Sequence, residues 1–168
     1  MVIGVLMDIQ EEKTMLNNSK HDEKLGREIL KRYEKEIMDA PASRSHHNNF
    51  RGGLLRHLEN TLHFAKKYFP DEEELYFLAL VHDIGKCREY VIKNEKIFFT
   101  YPPVDHIIHI LKMLWEEGIV LDDYEVNAIQ MHHGGWSPFK TDLCSLAVKL
   151  HFCDMMAVDL ENREEVRE

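Results

Sequence analysis

The chain has 168 residues, 44% hydrophobic and 30% charged, which fits one domain with a sizeable core and leaves no room for two ordinary ones. With 21 Lys and Arg against 30 Asp and Glu, its formal charge of −9 disfavours long nucleic acid as a partner, although bound divalent cations would reverse the field inside a site. No apolar run reaches about 18 residues, so no membrane partner is expected. The opening MVIGVLMD is too short for a signal-peptide core and lacks a basic leader, which makes the cytoplasm the expected location.

In chain order, residues 1–21 read as an irregular lead-in and 22–168 as a single domain. From Asp22, the apolar positions Leu25, Ile29, Leu30, Tyr33 and Ile37 form the stripe of an amphipathic helix, stopped by Pro41. A polar loop, PASRSHHNNFRGG, follows, and its paired glycines suit a tight backbone approach. Leu54–Tyr68 is a second helix closed by Pro70. Glu72–Asp83 is a third, whose run LYFLALV implies burial on most sides. EYVIK and KIFFT, on either side of Asn94 and Glu95, predict a small β-hairpin. Helices are expected over roughly 104–117, 122–132 and 141–160, with Asp122 or Asp123 as a cap. The closing ENREEVRE is expected to fray. The expectation is an all-α bundle of six or seven helices with one small hairpin.

Cys87, Cys144 and Cys153 form neither a CxxC pair nor a disulfide framework and read as small buried hydrophobes. The eleven histidines matter more for their placement. His82 and Asp83 end a strongly apolar helix, where unpaired polar groups are costly. Alone, such a dipeptide reads as a buried, hydrogen-bonded His and a turn-capping Asp. It is not alone. His57 lies in an otherwise apolar helical segment, His106 opens a helix, His132 and His133 end another beside two glycines, and Asp154 lies within LHFCDMMAV. Five histidines and two aspartates at helix ends and apolar faces are hard to satisfy independently, whereas a shared metal cluster satisfies all of them. Neutral imidazole and carboxylate suit divalent Mn, Fe, Co, Ni or Zn.

The order His57, His82-Asp83, Asp154 resembles the H…HD…D signature of the HD superfamily of metal-dependent phosphohydrolases. Together with His106, His132 and His133 the set is similar to the extended form found in HD-GYP phosphodiesterases, CRISPR-associated HD nucleases and YhaM-type 3′-5′ exoribonucleases, the last being the best match. The resemblance spans about residues 25–160 and implies a compact HD-domain helical bundle. It implies one or two divalent ions, with Asp83 shared, His57, His82 and Asp154 on one side, and His106, His132 and His133 on the other. The implied chemistry is attack on phosphorus by a metal-activated hydroxide, with Asp83 orienting the water or taking its proton.

Lys86 stands where the family's HDIGK lysine lies. It reads either as neutralising charge on a phosphate oxygen or as a solvated helix-end lysine. Arg44, His47 and Arg51, on the loop before His57, are candidates for binding substrate phosphate; the alternative is a surface role. His63, His109 and His151 read as structural. Trp136 reads as a lid or base-stacking residue, or as a cap on the core. The OB-fold module that YhaM-type enzymes carry, with its strand-binding platform, is not expected in this chain, nor are the GYP residues of HD-GYP proteins. The expected substrate is thus a nucleotide or short oligonucleotide. Two other functions remain open: a mononuclear 5′-nucleotidase or deoxynucleotide triphosphohydrolase, and a non-catalytic nucleotide-binding HD module. Metal content and a substrate panel separate them.

Overall fold

The computed structural model describes residues 21–44, 46–94, 96–100 and 105–165; the lead-in, except His21, lies outside them. Among the described residues the chain forms seven α-helices, two 3-10 turns and a two-stranded antiparallel hairpin. In order these are α1 (Glu23–Arg32), α2 (Glu34–Asp39), α3 (Gly53–Tyr68), α4 (Glu73–Val81), a 3-10 turn (Ile84–Arg88), β1 (Tyr90–Lys93), β2 (Lys96–Phe99), α5 (His106–Glu116), α6 (Asp123–Met131), a second 3-10 turn (Gly134–Trp136) and α7 (Ser145–Glu165).

The core is organised around α4, in which every residue from Leu75 to Val81 is buried. Such a helix has no polar face, so neighbours must cover it all round. α1, α3 and α7 do so, and each fully buried Leu or Phe contributes roughly 1.5–3 kcal/mol. The hairpin pairs Tyr90 with Phe99 and Ile92 with Ile97.

Three caps fix helix starts. The Asp22 carboxylate accepts from Leu25 N–H, that of Asp105 from Ile107 N–H, and Asp122 forms a capping box with Glu125. Asp122 is therefore the cap, and Asp105 makes His106 the first residue of α5.

Two boundaries differ from the expectation. The first helix is broken at Tyr33, whose backbone leaves helical geometry (φ −108°, ψ 18°) while its hydroxyl donates to Glu117 at 2.8 Å. A tertiary hydrogen bond overrides a continuous amphipathic stripe. The last helix starts at Ser145 rather than near 141, because Cys144 N–H is taken by the Asn127 side chain at 2.9 Å. It also continues to Glu165, so the first five residues of ENREEVRE are helical, and the last three lie outside the described residues. Glu161 meets His57 and Asn60, Glu164 meets Arg56, and Glu165 accepts from the Asn48 N–H, so three carboxylates pin its end to α3 and the preceding loop. No helix of the described residues is long and apolar enough to cross a membrane.

Candidate metal centre

The seven predicted ligands converge from five helices and a turn. His57 comes from the first turns of α3, His82 caps the C-terminus of α4, and Asp83 opens the 3-10 turn. His106 begins α5, His132 and His133 follow α6, and Asp154 lies mid-way along α7. Two backbone approaches set this geometry. A Cβ on Gly85 would fall 1.9 Å from the His106 carbonyl oxygen, so only glycine lets the turn touch the start of α5. Gly52, with φ +81°, and Gly53, whose Cβ would meet the Asn48 carbonyl oxygen at 2.0 Å, do the same where the polar loop enters α3.

Asp83 stands between two groups of ligands. Its Oδ2 lies 3.5 Å from His57 Nε2 and 3.7 Å from His82 Nε2. Its Oδ1 lies 3.2 Å from His106 Nε2 and 3.4 Å from His132 Nε2. His57, His82 and Asp154 form one set able to hold a cation, and Asp83, His106, His132 and His133 a second. The remaining ring contacts agree: His57 Nε2 is 3.0 Å from Asp154 Oδ1, and His133 Nε2 is 3.1 Å from His106 Nε2.

The donor atoms fit metal ions. His82 and His132 use Nδ1–H to donate to the carbonyls of Ala79 (3.1 Å) and Ile129 (2.6 Å). A carbonyl only accepts, so in the neutral ring the lone pair sits on Nε2. Both Nε2 atoms, that of His57 and Asp83 Oδ1 are buried and lack a hydrogen-bond partner. Leaving such an atom unsatisfied costs about 1–3 kcal/mol, and cations held by the two sets would remove that cost for all four.

Electrostatics separates the imidazoles. Burial lowers His82 to about 4, and burial together with neighbouring His132 lowers His133 to about 3, which keeps both neutral and able to donate a lone pair. Burial also opposes charge on His57, but the Asp154 and Glu161 carboxylates outweigh it and raise its pKa to about 10. Burial likewise opposes charge on His106, yet Asp83 and Glu89 raise it to about 9. For Asp83 itself burial favours the neutral acid. The Lys86 ammonium, 2.5 Å from Oδ2, and neighbouring His82 overcome this and hold the carboxyl well below its ordinary range.

The other candidates are distributed unevenly. Lys86 is in the site, almost fully buried against Asp83. His47 lies beside it, its ring 5.2 Å from that of His57 and its Nε2 3.8 Å from Glu161. Arg51 instead pairs with Asp39, and Arg44 lies over the Phe99 ring. His63 packs edge-on against Phe64. His151 Nδ1 approaches the His132 carbonyl at 2.5 Å and so braces the backbone of His132. Trp136 is 80% exposed on the turn after His133, so it does not cap the core. Cys87 and Cys153 are buried, Cys144 partly so, and all three are free.

Sequence reasoning missed Glu161. It is fully buried, its carboxylate accepts from His57 Nδ1–H at 3.1 Å and from Asn60 at 2.8 Å, and it fixes the tautomer of a candidate ligand. Its only signal is that it lies seven residues after Asp154, on the same face of α7.

The signature of the HD domain matches residues 53–159, which contain all seven candidate ligands. The chain belongs to the HD-domain family. The HD domain here is also similar to 3′-5′ exoribonuclease YhaM of Bacillus pumilus, 31% identical over 149 residues, and to that of Bacillus licheniformis, 30% identical over 149 residues. Each match covers 79% of this chain and 46% of the relative. The chain thus spans about half the length of the curated relatives it matches. No solved structure matches it. The HD-domain match and the two exoribonuclease relatives support a metal-dependent phosphoester hydrolase.

Proposed function

We propose that this HD domain hydrolyses a phosphoester of a nucleotide or short oligonucleotide, with Asp83 shared between two divalent cations. The observation that carries this reading is the division of Asp83, with Oδ2 turned to His57 and His82 and Oδ1 to His106 and His132. His57, His82 and Asp154 would hold one ion, and His106, His132 and His133 the other, drawn from Mn, Fe, Co, Ni or Zn. Such ions, when bound, supply an acidified water and a clamp on the attacking and leaving oxygens.

The chain's own residues orient and neutralise. Asp83 stays ionised, so it orients the attacking water and contributes charge in preference to storing a proton. Lys86 Nζ, held beside Asp83 by the 2.5 Å ion pair, neutralises charge that builds on a phosphate oxygen. Burial of His82 and His133 keeps water and protons from their lone pairs. Of the three loop candidates His47 is the strongest for a further phosphate contact, since Arg51 already has Asp39 and Arg44 lies over the Phe99 ring.

Relatives that are 3′-5′ exoribonucleases support a phosphodiester at an RNA end as the substrate. The net charge of −9 supports a small one, because little long-range attraction is available for a polyanion. A mononuclear nucleotidase would leave Asp83 Oδ1 and three imidazoles idle. Three free cysteines agree with a cytoplasmic location.

The test compares kcat/KM of the isolated, manganese-loaded chain for a dinucleotide, a strand of about twenty nucleotides and a phosphomonoester at moderate salt. The dinucleotide should be cleaved at least as efficiently as the long strand. A large preference for the strand overturns the small-substrate reading. Tight nucleotide binding without turnover would make this a binding module instead.

A further inference from the structure

The metal centre accounts for the buried histidines but not for Arg44. Arg27, Arg32, Arg51, Arg56, Arg88 and Arg163 each face a carboxylate. Among the described residues Arg44 has no such partner. Its guanidinium carbon lies 4.1 Å from the centroid of the Phe99 ring, and Phe99 in turn meets its cross-strand neighbour Tyr90 at 5.0 Å between centroids. Phe99 is 40% exposed, and Arg44 is exposed as well. An arginine laid on a ring is fixed in orientation while its second face stays open, and with no counter-ion its charge is uncompensated.

Two anchors bring this trio to the metal centre. Glu89 precedes Tyr90; its side chain lies 3.7 Å from His106 Nδ1, and its carbonyl accepts from Thr100 N–H at 2.8 Å. The foot of the hairpin therefore stands beside the set containing His106. Arg44 belongs to the loop that carries His47 against His57, in the other set. The contact between Arg44 and Phe99 thus joins the segment beside one ligand set to the segment beside the other.

We propose that Arg44, backed by Phe99 and Tyr90, is a stacking subsite for the base of the nucleotide whose phosphate occupies the metal centre. The proposal rests on the phosphohydrolase reading above. A flat cation supported by a ring matches the π-face that every nucleobase carries, so the subsite is tolerant of sequence and tells nucleotides from base-free phosphoesters. A phosphate held by the same guanidinium would be recognised equally with or without a base.

The test uses two variants, Arg44→Gln and Phe99→Leu, and two readouts. The first is quenching of 2-aminopurine nucleoside monophosphate on titration with the zinc-loaded chain, which needs no turnover. The second is the ratio of kcat/KM for a dinucleotide to that for the same dinucleotide lacking one base. The wild-type chain should quench, and each variant should weaken binding roughly tenfold and lower the ratio by a similar factor. Should Phe99→Leu loosen the hairpin, Arg44→Gln, outside it, decides. Absence of quenching in the wild type, unchanged affinity in Arg44→Gln, or equal loss with and without the base overturns the proposal. Quenching that is lost in the variants of a chain with no hydrolytic activity would leave the subsite standing and remove the phosphohydrolase reading.

Discussion

His57 Nδ1 lies 3.1 Å from Glu161 Oε2, and both side chains are closed off from solvent. Because the carboxylate accepts there, the other ring nitrogen is the one turned to the metal centre, and the ring cannot rotate without burying an unpaired donor. Glu161→Ala should therefore lower affinity for one of the two ions by roughly 10–100-fold. Glu161→Gln, which still offers an oxygen to Nδ1–H, should lose less. Competition with a chelating dye reads both. Unaltered affinity for both ions in Glu161→Ala would show that Glu161 serves only to hold α7.

The contrast between Glu161 and the seven candidate ligands marks what the sequence discloses. His57, His82, Asp83 and Asp154 are conspicuous because each interrupts an apolar face, where a polar group needs a reason. Glu161 sits in ENREEVRE, a charged run that looks solvated, and only packing of α7 on α3 buries it. The break at Tyr33 is hidden for the same kind of reason, since its cause is Glu117, 84 residues away in sequence. The bundle and hairpin were legible from periodicity and turn residues. The pinned end of α7 depends on Arg56, Asn48 and His57 and was not.

Gly85→Ala should separate backbone fit from chemistry. Its Cβ would meet the His106 carbonyl oxygen at 1.9 Å and the Ile110 nitrogen at 2.8 Å, both backbone atoms. Relief requires the turn and α5 to move apart, at a cost of about 1–3 kcal/mol, and carries His106 away from Asp83. Denaturant unfolding and metal content should both fall. Wild-type values in both would contradict the close approach.

Lys86→Met keeps the length of the side chain and removes its charge. If the ammonium neutralises a phosphate oxygen, kcat should fall on the order of 100-fold while metal content is retained. Lys86→Arg should recover part of the loss. Full activity in the methionine variant would return Lys86 to the role of partner for Asp83 alone.

His21 supplies a pH test outside the candidate metal sets. A hydrogen bond to Glu125 raises its pKa above the ordinary 6.5 against the opposing effect of burial, and its ring stacks on Phe77 at 5.0 Å. The stabilisation is complete below pH 6.5 and is lost as pH rises through the raised value. His21→Gln should thus lower Tm by about 2–4 °C at pH 5.5 and by less at pH 9. An equal deficit at both values would mean that stacking, not the ion pair, carries the contribution.

If Asp83 is shared between two ions that the reaction requires, metal content and turnover both depend on it. Elemental analysis of the wild-type chain and of Asp83→Ala, paired with turnover of a dinucleotide, tests it most directly. The wild-type chain should hold about two divalent ions, and Asp83→Ala should lose at least one of them together with all hydrolysis. Full metal occupancy with full turnover in Asp83→Ala would contradict it.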